Sequence, residues 1–422
     1  ARPGRAGIPR AAPGHRGRGR HALAAMRRGP GQRRVTVMAR IIRHRGAHFR
    51  AAPLALHIAY LERDGVTRDG RDTSMFDAAG DTADRGAFAE RCADDRHHFR
   101  LIISPEDATE LGDLRHFTRD LMRQMERDLD TPLDWVAVDH WNTDNPHVHV
   151  LVRGVASDGG DLVIDRTYVA EGIRGRASEI ATLELGPRTE RDIDASRMRE
   201  VEAERWTGLD AELVARGSET GVVDLRPQRP APDADRHLRG RAARLEAMGL
   251  ATRLGPGLFV IDADAESALR QIGERGDIIK TMHRAMRAQG LSFDVAAITL
   301  HDEAREAPIV GRLVARGLDD ELTGSAYAIV EGTDGRTHHL RFADLEWTGD
   351  AAPGAIVELR AWDGRDGEHR LSLAVRSDLP LGDQVSARGA TWLDRQLLAR
   401  EAAAGSGFGL ELHAAMRARA AI

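Results

Sequence analysis

With a single cysteine, Cys92, in 422 residues, the chain can close no internal disulfide and build no cysteine-based zinc cluster. Aromatic residues are scarce at 4%, so aliphatic side chains must fill the cores that a hydrophobic content of 41% allows. No apolar run approaches the roughly 18 to 20 residues of a membrane span. The sequence therefore predicts no membrane insertion and a place in the reducing cytoplasm. Lysine is nearly missing, with Lys280 alone against 60 arginines, so a lone arginine is weak evidence of a phosphate contact. Acidic residues are absent from the first 61 positions, which hold 14 arginines; the whole chain carries −5, so the other 361 residues carry −19. That polarity offsets the negative total and gives one end of the chain an affinity for phosphates without sequence preference.

What is present centres on the run His-Trp-Asn-Thr-Asp-Asn-Pro-His-Val-His at 140–149. Side chains alternate along a strand, so His147 and His149 share a face while Val148, Val150 and Val152 face a core. The preceding Asp134 to His140 stretch reads as a second strand, and the polar insert between the two reads as a hairpin loop that sets His140 across from His147. Cross-strand neighbours approach to about 5 Å between Cβ atoms, so three imidazoles can meet on one divalent ion. Parity on the first strand is less clean, because His140 shares a face with Val136 and Val138; a bulge is one way to reconcile it. An all-imidazole site suits zinc, copper, iron or nickel, whereas magnesium prefers oxygen donors.

Tyrosines number only three, Tyr60, Tyr168 and Tyr327. Tyr60 falls in an apolar stretch that begins at Pro53 and stops at Gly65, the punctuation of a short helix. The Tyr-Leu-Glu-Arg-Asp-Gly run at 60–65, the strand at 98–104 followed by Pro-Glu-Asp, and the hairpin ending Asn-Pro-His-Val-His resemble, in that order, the relaxases. These are plasmid mobilisation nucleases of the HUH superfamily, and the chain looks most like the branch of the T-DNA border endonuclease. The segments 161–168 and 185–189 look like the same branch, and the resemblance spans about residues 35 to 215.

The resemblance implies a strand-specific DNA nick at a transfer origin, with a tyrosine left joined to the 5′ phosphate. It implies Tyr60 as nucleophile, His140, His147 and His149 as ligands, and Mg²⁺ or Mn²⁺ as the working ion, with Zn, Ni or Cu also suited to the histidines. Asp144 takes an acidic position of the motif, where it either orients a ligand or caps a turn. Related motifs often carry Asn four residues beyond the last His; here Arg153 stands there and becomes a candidate for DNA contact. Single-stranded or supercoiled DNA, accessory relaxosome proteins and a type IV coupling protein are the implied partners, with export alongside bound DNA. Tyr168, which follows the His pair, is the rival nucleophile, since replication initiators of the superfamily use that order.

The expected architecture is α+β. Residues 1–34 read as a disordered basic arm, 35–223 as an antiparallel-sheet HUH-type relaxase domain, and 224–236 as a proline-rich linker. Residues 237–300 resemble a winged-helix module, in which Arg239, Arg241 and Arg244 could face DNA. Five short strands within 301–380 predict a small β-barrel, and 381–422 a helical tail. Two other functions fit these features: a hydrolase that activates water at the histidines, and a non-catalytic winged-helix DNA-binding protein. The first lacks a carboxylate base of known position.

Overall fold

The structure, a computed structural model, describes residues 17–26, 29, 31–43, 51–141, 143, 145–227, 235–301, 308–363, 369–399 and 403–422. It divides into two compact units, Ala1–Arg188 with Asp320–Gly324, and Thr189–Asp319 with Ser325–Ile422.

The first unit runs β1 (Val35–Arg43), α1 (Ala51–Asp64), α2 (Arg85–Arg91), β2 (His97–Pro105), α3 (Leu114–Leu129), β3 (Trp135–His140), β4 (His147–Arg153) and α4 (Ile173–Leu185). Its four strands form one open antiparallel sheet in the order β1-β2-β4-β3. One face carries Phe99, Leu101 and Ile103 of β2, Trp135 and Ala137 of β3 and Val148, Val150 and Val152 of β4, which share a core with Phe117, Leu121 and Met125 of α3. Those three α3 residues recur at helical spacing, and each such buried side chain contributes roughly 1.5–3 kcal/mol. The Asp113 side chain caps the start of α3 by accepting from the Arg115 and His116 amides, and Asp130 ends it in the left-handed region at φ 51°.

No bulge interrupts the β3–β4 pair. Its register runs without a break from Trp135↔Val152 to His140↔His147, and the parity problem has a different answer, since every residue of β3 is buried on whichever face it points. On the second face α1 packs against β3, and its Leu54, Ile58 and Leu61 are buried. Part of the expected disordered arm is structured: Arg18 bridges to Ile164, a 3₁₀ turn spans Arg20–Ala25, and Ala22 joins the core. Residues 1–16 lie outside the described residues.

The second unit begins with α5 (Glu190–Glu202), α6 (Gly208–Gly217), β5 (Val223–Asp224), α7 (Arg236–Ala247), β6 (Ala251–Gly255), β7 (Leu258–Ile261) and α8 (Ala265–Ala288). A helix followed by a hairpin is found here, with β5 added to give a three-stranded sheet in the order β5-β7-β6. Residues 228–234 of the expected linker lie outside the described residues. Then follow β8 (Ile298–His301), β9 (Val310–Asp320), β10 (Ser325–Gly332), β11 (Thr337–Phe342), β12 (Ile356–Asp363), β13 (His369–Ser377), α9 (Leu381–Ser386), α10 (Trp392–Ala399) and α11 (Gly407–Ala420).

The expected β-barrel is not formed. The five predicted strands exist as β9 to β13, but they lie in an open six-stranded sheet ordered β13-β12-β9-β10-β11-β8. Closure requires the last strand to hydrogen-bond the first. Instead β13 pairs with β12 at one edge, and β8 adds in parallel to β11 at the other. The architecture is thus α+β with three open sheets.

Candidate metal centre

Antiparallel pairing brings His140 of β3 directly opposite His147 of β4, and the two-residue period of β4 sets His149 on the same face. The three rings converge, with centroids 5.3 Å apart for His140 and His147, 4.6 Å for His140 and His149, and 4.8 Å for His147 and His149. A fourth group joins them. Glu321 lies in the turn between β9 and β10, in the Asp320–Gly324 segment that belongs with the first unit. Its Oε2 lies 3.0 Å from His149 Nε2 and 3.6 Å from His147 Nε2. One ligand atom from each of the four residues fits within 4.8 Å of the others, a set that can chelate a metal ion.

Hydrogen bonds fix the tautomers of two of these rings. His140 Nε2 donates to the Leu61 carbonyl of α1 at 2.8 Å, which leaves Nδ1 as the nitrogen with a lone pair. His147 Nδ1 lies 2.9 Å from the Asn145 carbonyl and donates to it, so the lone pair of Nε2 is turned toward His149, 3.0 Å away. A backbone carbonyl that holds the second ring nitrogen is the outer support that metal-ligating histidines use. Burial, reinforced by the neighbouring His149, pulls His140 down to about 3, so this ring is neutral and available as a ligand. Burial also lowers His147, but the Glu321 carboxylate outweighs it and the net direction is up. For Glu321 burial acts upward, yet His149 and His147 win and hold the carboxyl well below its ordinary range. His57 of α1 is buried beside the cluster and pushed well below its ordinary value by burial, then by Arg100 and His149. The donor set of imidazoles and one carboxylate fits a borderline divalent cation.

Tyr60 lies on α1 one residue before the carbonyl that holds His140, so the helix of the candidate nucleophile is tied to the cluster through its backbone. The tyrosine is 6% exposed, and the Arg63 guanidinium stands 4.4 Å from its ring centroid. Tyr168 is fully buried in the core of the first unit. Its hydroxyl donates to Asp128 Oδ2 at 2.8 Å, and burial and that carboxylate push the phenol above its ordinary value. A structural role accounts for it. Asp144 lies outside the described residues.

The arginines proposed for DNA are all engaged with their own units. Arg153 makes a two-pronged pair with Asp95 at 2.7 and 3.0 Å. Arg239 donates to the Leu225 carbonyl, and Arg244 pairs with Glu204 at 2.8 Å. Arg241 departs from the expectation outright: it is 0% exposed, pairs with Asp210 at 2.7 and 2.9 Å and donates to the carbonyls of Val201, Ala203 and Arg205. A guanidinium so enclosed presents nothing to a phosphate.

Sequence reasoning missed Glu321 and His57. His57 shares a helix with Tyr60 at the i, i+3 spacing that puts both on one side, a readable signal. Glu321 sits in Asp-Asp-Glu-Leu-Thr-Gly, which signals a turn and nothing about a metal.

A family model described as Protein of unknown function (DUF3363) matches residues 238–368 and 360–422. The match includes Glu321 and leaves out the three histidines and Tyr60. Neither a curated protein nor a solved structure matches the chain. Among the described residues no helix is long and apolar enough to cross a membrane.

Proposed function

We propose that the chain is a metal-dependent DNA-cleaving enzyme, with His140, His147 and His149 as the protein's imidazole ligands and Tyr60 as the nucleophile of a relaxase reaction. The observation that carries the metal-dependent reading is the convergence of three imidazoles, two of them with tautomers fixed by backbone carbonyls. The order of the tyrosine, strand and histidine motifs supports the finer reading. So does the direct tie of α1 to His140 next to Tyr60.

A phenol has a pKa of about 10, so attack near neutral pH starts roughly 4 kcal/mol in deficit. His140, His147 and His149 would hold a divalent cation, and its charge would offset that deficit by stabilising developing negative charge. As the Oη–P bond forms, the P–O3′ bond breaks; the phenol proton passes to a base and the 3′ oxygen leaves as a hydroxyl. The 5′ phosphate stays on Tyr60, conserving the phosphodiester for rejoining. On this reading the substrate is DNA at a transfer origin and the partners are relaxosome and coupling proteins.

A second reading uses water in place of the tyrosine. The burial of Tyr60 and the carboxylate of Glu321 beside His149 favour it, because Glu321 supplies the acid–base group that the His motif itself lacks. Incubation of the full chain with Mn²⁺ and labelled single-stranded DNA, followed by a denaturing gel, separates the two. A protein–DNA adduct that vanishes with Tyr60→Phe and His149→Ala, and persists with Tyr168→Phe, supports the tyrosine. Cleavage without adduct, indifferent to Tyr60→Phe, moves the assignment to water. No cleavage and no adduct with any origin sequence refutes both.

A further inference from the structure

Glu321 comes from a part of the chain remote from the histidine motif, and its segment is built to hold one carboxylate in one place. Asp320 Oδ1 accepts from the Leu322 and Thr323 amides at 2.9 and 3.3 Å, and the Gly324 amide donates to the Asp320 carbonyl at 2.7 Å. Gly324 stands at φ +87°, a conformation only glycine adopts at low cost. Arg100 of β2 anchors the segment from the sheet side by donating to the Leu322 carbonyl at 3.4 Å. Yet the Glu321 side chain is still 31% exposed, while that of His149 is 4%. With His147 at 12%, Glu321 is the least enclosed of these three side chains.

We propose that Glu321 is a displaceable ligand of the metal centre: its carboxylate holds the anionic-oxygen position that a substrate phosphodiester takes, so the Asp320–Gly324 segment closes the site until DNA replaces it. The proposal rests on the metal-dependent reading above. The chemistry is an exchange of like for like. A carboxylate and a phosphodiester each bring one negative charge and hard oxygen donors, the complement to a cation already held by neutral imidazoles. Because the segment lies within the region matched by the family model and the histidines do not, this latch is a property of the C-terminal sequence acting on the N-terminal site.

The test uses the full chain with Mn²⁺ alone as metal probe and inorganic phosphate as anion probe. Free Mn²⁺ is followed by its paramagnetic resonance signal, and phosphate at the metal by Mn²⁺-induced broadening of the ³¹P line. Wild type is compared with Glu321→Gln, Glu321→Ala, Asp320→Ala and His149→Ala. The expected result is Mn²⁺ binding weakened about tenfold by both Glu321 variants, with phosphate binding to the Mn²⁺-saturated variants tightened severalfold. Asp320→Ala keeps the carboxylate but loosens its turn, and shifts both constants the same way by a smaller factor.

Unchanged Mn²⁺ affinity in the Glu321 variants overturns the proposal, since Glu321 is then no ligand. Weakened Mn²⁺ affinity with unchanged or weaker phosphate binding also overturns it, because Glu321 is then a permanent ligand. Equal Mn²⁺ binding by wild type and His149→Ala is a distinct outcome that sinks the metal centre itself and this proposal with it.

Discussion

Arg241→Ala will loosen the helical half of the second unit and leave any DNA contact elsewhere untouched. The guanidinium and the Asp210 carboxylate are 0% and 1% exposed, so neither falls back on water when its partner is removed. Truncation to alanine leaves Asp210, among the described residues, with the Thr207 amide and hydroxyl, each at 2.7 Å, and strips a donor from the carbonyls of Val201, Ala203 and Arg205. Breaking a buried pair costs about 3–5 kcal/mol. Each orphaned carbonyl adds up to about 1–3 kcal/mol, though water entering the vacated volume recovers much of that. A net loss of about 4 kcal/mol follows, at the lower end of the sum. Hydrogen exchange read by mass spectrometry is the suitable assay, because α6 and α7 are reported locally and no two-state assumption across the units is needed. At 1.4 kcal/mol per factor of ten, amides of α6 and α7 should exchange about a thousandfold faster. The double variant Arg241→Met with Asp210→Leu removes both charges and should recover most of the loss, apart from the capping bonds to Thr207. An exchange change below tenfold in Arg241→Ala refutes the packing argument. Unchanged exchange together with weaker oligonucleotide binding would return Arg241 to the DNA interface.

A Cβ at Gly65 would stand 2.9 Å from His140 Cδ2 and 3.0 Å from its Nε2, besides striking Thr73, so Gly65→Ala should weaken Mn²⁺ binding about tenfold in calorimetry while the fold survives. Mn²⁺ should raise the melting temperature of the wild type and not that of His149→Ala; equal shifts would remove His149 from the site. Tyr168→Phe should cost about 1–2 kcal/mol in chemical denaturation by stripping one donor from Asp128, which keeps Arg176 at 2.8 and 3.0 Å. Loss of the DNA adduct in that variant would restore Tyr168 as nucleophile. Cys92 is fully buried and its thiol is pushed up to about 12 by burial first and Asp95 next, so a disulfide reagent at pH 8 should react only after unfolding. Because this pKa is raised on folding, its contribution to stability is complete below the unfolded value near 9 and falls as pH climbs toward 12; a flat stability profile across that window contradicts the burial argument.

The histidine cluster is legible in the sequence because its geometry is local. Strand alternation fixes His147 against His149, and a short hairpin fixes His140 against His147, so spacing alone carries three of the four grouped residues. Glu321 was not legible because nothing in a turn sequence says which distant imidazoles it will meet. The strands of the large sheet were visible for the same local reason, whereas closure was not, because it depends on which edges pair, and here β8 pairs in parallel with β11. Arg241 is a different failure, since its signal was present. Leu238, Arg241, Ala242 and Leu245 follow the i, i+3, i+4, i+7 pattern of a buried stripe, and all four are buried. At this position helical period, not residue type, decides where the guanidinium goes.

Charge explains why a carboxylate belongs in this cluster at all. The face that bears the histidines also bears Arg100, largely buried and donating to His98 Nε2 at 3.2 Å, and His57 lies close enough for Arg100 and His149 to lower it. Three of the four grouped side chains are imidazoles, which bind a metal uncharged, so a divalent cation held there would add to the charge of Arg100 on the same face. Burying that sum without an anion is costly, because charge in a low-dielectric setting is neither screened nor hydrated. Glu321 answers it with one negative charge, and its own carboxyl is held ionised by the histidines it faces. A phosphodiester, in the exchange proposed above, would bring the same charge to the same place. The proposed exchange would therefore leave the electrostatics of the face nearly unchanged, and on the protein's side the balance would fall to the turn held by Asp320 and Gly324.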